Sequence, residues 1–100
     1  MKNMEQMTFE LVNKEEIPKF RFGKADVLTD LAARQKRRWD ANRATVLGNG
    51  YHGKVEILFE TNDGEPKRVD TTIWDCDQHY LILKSGASIP IRSVHSIEFY

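Results

Sequence analysis

The sequence pattern that decides the fold runs from Lys54 to Trp74 and reads KVEILFETNDGEPKRVDTTIW. Apolar residues recur at every second position from Val55 to Phe59, and this period of two is typical of a half-buried β-strand. Asn62-Asp63-Gly64 then predicts a tight hairpin turn, because these residue types tolerate the backbone angles that such a turn requires. A second alternating segment, rich in β-branched residues, extends from Val69 to Trp74. The stretch therefore predicts a β-hairpin.

Three more strand signals follow this hairpin. Residues 80–83 are apolar at every position, Ser85-Gly86 predicts a turn, and residues 89–91 and 94–100 supply two further short strands. Five strands between residues 54 and 100 leave too few residues for two packed sheets, whereas a small closed barrel removes exposed strand edges. We therefore predict a mostly β fold that consists of one N-terminal α-helix and a small five-stranded antiparallel barrel over about residues 54–100.

Residues 24–42 change to the spacing of an amphipathic helix and contain no Gly or Pro. We predict a helix over about residues 24–45 and leave open whether residues 44–47 end this helix or form a strand. Basic residues crowd its later turns, where they interact favourably with the helix dipole. The predicted packing stripe consists of Val27, Leu28, Leu31, Gln35 and Trp39, and the basic residues are Arg34, Lys36, Arg37, Arg38 and Arg43.

Residues 1–23 are punctuated by Pro18 and Gly23 and predict an extended N-terminal arm with one or two short strands. Residues 24–100 are then a single domain, because 100 residues with 40% apolar content suit one modest core. Residues 1–7 lack the layout of a secretory signal, and no apolar run approaches the roughly 18 residues of a membrane span. Since Cys76 is the single cysteine, we predict a soluble, cytoplasmic protein without membrane partners.

The distribution of charge is more informative than its total, which is zero. Residues 1–53 contain ten Lys or Arg against seven Asp or Glu, and residues 54–100 contain five against eight. This asymmetry favours either a positive face that binds a nucleic acid or attraction between the halves of neighbouring subunits. Charge alone does not decide between them.

The order of elements and two short motifs carry a family resemblance. Asp75-Cys76-Asp77-Gln78-His79 precedes the apolar residues 80–83, and the last strand pair reads SIPIRSVHSI from Ser88 to Ile97. This arrangement resembles the Sm-like family, which includes the Sm, LSm and Hfq proteins, over roughly residues 26–100. His79 stands where the family's first motif has Asn. Arg92 matches the basic residue of the second motif, but Ser93 replaces its Gly.

The resemblance implies a ring of six or seven subunits, joined by pairing between the fourth and fifth strands, with single-stranded RNA contacted by two loops. Four residues in or beside these loops are accordingly predicted to bind RNA, namely Trp74, Asp75, His79 and Arg92. The basic helix face is predicted to assist them through Arg34, Lys36, Arg37 and Arg38.

Both candidate regions also have a purely structural interpretation. Clustered guanidinium groups attract phosphates and Trp39 could stack on a base, but Trp39 could equally pack the helix onto the barrel while its charged neighbours are solvated. Trp74 and Tyr80 could hold an unpaired base or simply cover the core. The carboxylates of Asp75 and Asp77 would repel phosphate. The sequence leaves these alternatives open.

No reaction is indicated by the sequence. The spacing of Cys76, Asp77 and the three histidines is not diagnostic of a metal site or of an activated nucleophile. We therefore predict no catalytic residue, no metal, no cofactor and no enzyme activity. Two functions remain: an Sm-like module that forms homo-oligomers and binds RNA, and an assembly or adaptor module that contacts only proteins.

Overall fold

The structure, a computed structural model, describes residues 7–100; residues 1–6 of the predicted arm lie outside this range. In chain order the elements are β1 (Glu10–Leu11), a first 3₁₀ helix (Lys14–Lys19), α1 (Leu31–Tyr51), β2 (Val55–Glu60), β3 (Pro66–Thr71), β4 (Ile73–Cys76), β5 (Tyr80–Leu83), β6 (Ser88–Pro90), a second 3₁₀ helix (Ile91–Ser93) and β7 (Val94–Phe99).

The first sheet has the strand order β1-β3-β2-β7. β2 and β3 are antiparallel, with Val55 opposite Thr71. The turn between them contains Gly64 at a φ of 80°, a left-handed conformation that glycine adopts without steric cost. β1 adds a short parallel pairing in which Leu11 lies opposite Arg68. The sheet is therefore mixed.

The predicted five-stranded antiparallel barrel is wrong. Residues 7–100 form seven strands in two sheets, of which the second has the order β4-β5-β6, and these strands do not close into a barrel. The alternating segment from Val69 to Trp74 is interrupted at Thr72, so the chain leaves the first sheet after β3 and enters the second at β4. β1 lies in the N-terminal arm, for which one or two short strands were predicted, and it pairs in parallel with β3.

The two sheets share a core because two other elements contact both of them. α1 packs against β4 and β7, and the first 3₁₀ helix packs against β3 and β6. Side chains on each inner sheet face alternate with outward residues, as the period of two requires. The buried strand residues include Val55, Ile57, Phe59, Val69, Ile73, Leu81, Leu83, Ile89, Val94 and Ile97.

α1 begins at Leu31, later than the predicted start near residue 24, because Asp30 caps it. The Asp30 carboxylate accepts a hydrogen bond of 3.2 Å from the backbone N–H of Ala33. The helix continues to Tyr51, and His52 ends it in a left-handed conformation with a φ of 54°. No helix within residues 7–100 is both long and apolar enough to cross a bilayer.

The buried face of α1 is not the predicted stripe. Leu31 and Trp39 are 68% and 72% exposed, so the stripe they define faces away from the core. A Cβ atom at Gly48 would lie 2.1 Å from the carbonyl oxygen of Ile73, so the helix approaches β4 too closely for larger side chains. The residues that α1 buries are instead Arg37, Asp40, Ala41, Ala44 and Gly48.

Candidate functional site

A cleft of about 240 Å³ lies between the first half of α1, the loop that joins β4 to β5, and the second 3₁₀ helix. It joins residues that the sequence placed in two separate candidate sites. The cleft is lined by Asp26, Arg34, Arg37, Arg38, Gln78, His79, Ile91 and Arg92. Three of the four predicted basic helix residues and two of the four predicted loop residues therefore share one surface.

Arg37 forms the floor of the cleft and is buried. Its Nη1 and Nη2 atoms donate to the two carboxylate oxygens of Asp26 at 2.9 and 2.7 Å, and Nη1 also donates to the carbonyl of Val94 at 2.9 Å. Its Nε has no hydrogen-bond partner among the described residues. Both terminal nitrogens are thus occupied, so Arg37 has a structural role in fixing α1 against β7.

The state of Asp26 follows from this contact. Burial acts to raise the pKa of Asp26, but hydrogen bonds from Arg37 and from the backbone N–H of Leu28, together with the charges of Arg37 and Arg34, outweigh it. The pKa therefore lies below its usual value of 3.8. Asp26 is a carboxylate at neutral pH and offsets one of the arginine charges.

Arg38 orders the loop on the other side of the cleft. Its Nη1 and Nη2 atoms donate to the carbonyl oxygens of Asp77 and Gln78, each at 2.9 Å. The Asp77 carboxylate accepts from the backbone N–H groups of His79 and Tyr80, and these bonds hold its pKa below 3.8. The loop is therefore fixed both by the helix and by its own turn.

Arg34 and Arg92 form their hydrogen bonds through Nε, whereas Arg37 and Arg38 use their Nη atoms. Arg34 uses Nε to donate to the carbonyl of Leu28 at 2.7 Å, and Arg92 uses Nε to donate to the carbonyl of Gly23 at 2.6 Å. Neither uses its Nη atoms in a hydrogen bond to another described residue. Each guanidinium is held through Nε, so its two Nη atoms stay available as donors. Such a pair of donors can form two parallel hydrogen bonds to one phosphate.

The cleft carries a net positive charge. Four arginines face it, and the carboxylates nearest to them are those of Asp26 and Asp77. The resulting excess of positive charge attracts anions, and the oriented N–H donors of the arginines suit phosphates in particular. At about 240 Å³ the cleft is smaller than the roughly 300 to 1,000 Å³ of sites that enclose a small molecule, and one phosphate group fits within it.

The other predicted site residues lie elsewhere. Lys36 forms an ion pair with buried Asp40 at 2.5 Å and does not line the cleft. Trp74 and Asp75 lie on β4, where Trp74 is 43% exposed and the Asp75 carboxylate accepts from the backbone N–H of Cys76. Trp39 is exposed on the outer side of α1. The predicted set therefore divides between the cleft and the surface around it.

Three cleft residues were not predicted as site residues, namely Asp26, Gln78 and Ile91. Asp26 lies within the range predicted as helix, residues 24–45, but its side chain accepts from the backbone N–H of Leu28 at 2.8 Å, a turn that Asp forms readily with the residue two positions on. Gln78 contributes its backbone carbonyl oxygen, which accepts from Arg38. A role of the backbone cannot be inferred from the residue type. Ile91 is positioned by its backbone N–H, which donates to His79 at 2.8 Å.

Neither a metal nor a relative identifies the site. Within residues 7–100, no group of three or more His, Cys, Asp or Glu residues could hold a metal ion. Comparisons with family models, with curated proteins and with solved structures give no significant match. The Sm-like resemblance consequently stays a prediction. The geometry and charge of the cleft are what bear on the function.

Proposed function

We propose that this protein is a non-enzymatic module that binds the phosphate backbone of single-stranded RNA in the arginine cleft. The observation that supports this function best is the pair of unused Nη edges on Arg34 and Arg92, in a cleft that also contains Arg37, Arg38 and His79. Guanidinium groups that keep both Nη donors bind oxyanions through two hydrogen bonds, and the phosphodiester groups of RNA are such oxyanions.

The four arginines have different roles in this proposal. Arg34 and Arg92 contact the phosphate, while Arg37 and Arg38 hold α1, β7 and the loop in place. His79 lies exposed at the rim, where its imidazole can donate to a phosphate oxygen or stack on a base. A cleft of this size accepts an extended single strand more readily than a rigid duplex.

The proposal is tested by titrating a fluorescein-labelled, unstructured RNA of about ten nucleotides with the protein and following fluorescence anisotropy. The R34Q/R92Q variant loses two charges and the Nη donors but keeps polar side chains, and we expect its affinity to fall at least tenfold. The matched control is R43Q/K54Q, which removes the same charge from residues outside the cleft. Equal affinities for the two variants would reject the cleft as the RNA site.

A second candidate function is assembly through the outer side of α1. Leu31, Trp39 and Val46 are 68%, 72% and 69% exposed and lie at helical spacings that place them on one side. Such residues favour a protein contact, and another copy of this chain is the partner that the sequence predicts. Sedimentation of wild type and W39A distinguishes the candidates, because only assembly requires Trp39.

The compartment we propose is the cytoplasm. Cys76 is the single cysteine, and its thiol donates to Oδ1 of Asn42 at 3.3 Å. A chain without internal disulfides suits a reducing compartment. Fractionation of cells that produce the protein would check this assignment.

A further inference from the structure

A larger groove adjoins the arginine cleft and is not used by the phosphate contacts. It measures about 750 Å³ and lies between the first 3₁₀ helix with its following segment and the hairpin of β5 and β6. Arg92 lines both the cleft and this groove. The groove walls combine apolar residues, which include Phe20, Phe22, Tyr80 and Pro90, with the charged residues Lys14, Glu15 and Arg92.

Tyr80 is the aromatic ring of this groove that is most available to a ligand. It is 40% exposed, and its cross-strand partner is Pro90. Phe20 and Phe22, in contrast, are partly buried and direct their rings toward Phe59 of the core, with centroids 6.1 Å away in each case. An exposed ring backed by an ordered strand is a stacking platform for a planar group.

The groove also offers polar partners at its edge. β6 is the outer strand of its sheet. The N–H of Leu83 donates to the carbonyl of Ala87, and the N–H of Ile91 donates to the carbonyl of His79. In residues 87–91 every second backbone group therefore points toward β5. Ser88 lies between them, so its backbone N–H and C=O point away from β5. One donor and one acceptor beside an aromatic ring match the hydrogen-bonding edge of a nucleobase.

We propose that the groove binds an unpaired nucleobase stacked on Tyr80, next to the phosphate held in the arginine cleft; this inference rests on the proposed function. The shared Arg92 argues for this occupant, because a base and its neighbouring phosphate are joined in one strand and need adjoining sites. Lys14 at the groove wall provides a further cation for the strand as it continues, and the carboxylate of Glu15 on the same wall offsets part of its charge. The order along the ligand is phosphate, base and again phosphate.

The test compares two probes, a uridine oligonucleotide and an abasic oligonucleotide of the same length, against wild type, Y80A and Y80F. We expect Y80A to weaken uridine-oligomer binding by about ten- to hundredfold and to leave abasic binding unchanged, because stacking is lost while the phosphate contacts persist. Y80F keeps the ring and should bind the uridine oligomer like wild type. The control variant is Y51A, which removes a tyrosine that is 80% exposed and lies outside the groove.

Other outcomes separate this inference from the proposed function. If Y80A binds both probes like wild type, the groove does not hold a base, although the cleft still binds phosphate. If Y80A weakens both probes equally, Tyr80 acts through the fold and the inference fails. If wild type binds neither probe, the proposed function fails and the inference fails with it.

Discussion

The inner side of α1 buries two charged and three small residues, whereas its outer side exposes Leu31, Trp39 and Val46 to solvent. An ordinary surface helix shows the reverse distribution. The inner side works because each buried charge has a partner: Arg37 pairs with Asp26 and Asp40 pairs with Lys36. Hydrophobic spacing therefore does not reveal the buried side of a helix when Ala and Gly make its close contacts.

The largest expected effect is on the buried ion pair of the inner side. Replacing Arg37 by Met should lower the free energy of unfolding by about 3 kcal/mol, because the partly buried carboxylate of Asp26 would lose both hydrogen bonds from Arg37 and keep only the Leu28 N–H and the more distant Arg34. R34M is the matched control. Arg34 is 45% exposed and should contribute less than about 1 kcal/mol. Urea unfolding of both variants measures the difference, and equal losses would contradict the structural role of Arg37.

The next effect comes from the close contact of α1 with β4. A Cβ at Gly48 meets the backbone at Ile73, which cannot rotate away, so G48A should destabilise the protein by about 2 to 3 kcal/mol. Gly50 lies in the same helix with no atom within 4 Å of its Cβ position. G50A should therefore stabilise the helix by about 0.5 kcal/mol. Thermal unfolding of G48A and G50A measures both changes in stability. A stabilising G48A would show that α1 and β4 are further apart than in this structure.

A smaller effect concerns the pH dependence of stability. The folded-state pKa of Asp26 is lowered from 3.8, so its contribution is complete above that value and is lost as the pH falls through the folded pKa. Wild type should be more stable than D26N at pH 6. The difference should shrink as the pH is lowered from 5 to 2. A difference that stays constant over this range would contradict the ionised pair.

The smallest effect is expected on the outer side of α1. Trp39 is 72% exposed, so W39A should change the free energy of unfolding of the monomer by no more than about 0.5 kcal/mol. Urea unfolding in dilute solution checks this value. A loss of 2 kcal/mol or more would mean that Trp39 is buried, either against the core or in an oligomer, and dilution would distinguish these two cases.

The sequence indicated the local structure better than the architecture. The alternation of residues 55–59 and the turn at Asn62-Asp63-Gly64 coincide with β2 and its hairpin, because a period of two and a glycine turn are local signals. The interruption at Thr72 could not be predicted, since its neighbours Thr71 and Ile73 continue a strand-forming composition. The start of α1 could have been placed at Asp30, which is a favoured capping residue.

The candidate site was predictable in its parts but not in its assembly. Clustered arginines on the helix were visible in the sequence, as were His79 and Arg92 near the loops. Their meeting in one cleft depends on Arg38 reaching the loop carbonyls and on Arg92 reaching Gly23, which are contacts between distant segments. The roles within the cluster depend on which guanidinium nitrogens are occupied, and composition carries no such information.

Contact of Arg34 and Arg92 with an RNA phosphate predicts a specific dependence of RNA binding on salt. The logarithm of the affinity should fall linearly with the logarithm of the salt concentration, by about 0.7 per phosphate contact for a single strand. Because Arg34 and Arg92 contact one phosphate together, the slope for R34Q/R92Q should be shallower than that of wild type by about 0.7. The slope for R43Q/K54Q should equal that of wild type. Parallel slopes for wild type and R34Q/R92Q would show that Arg34 and Arg92 do not contact the RNA backbone.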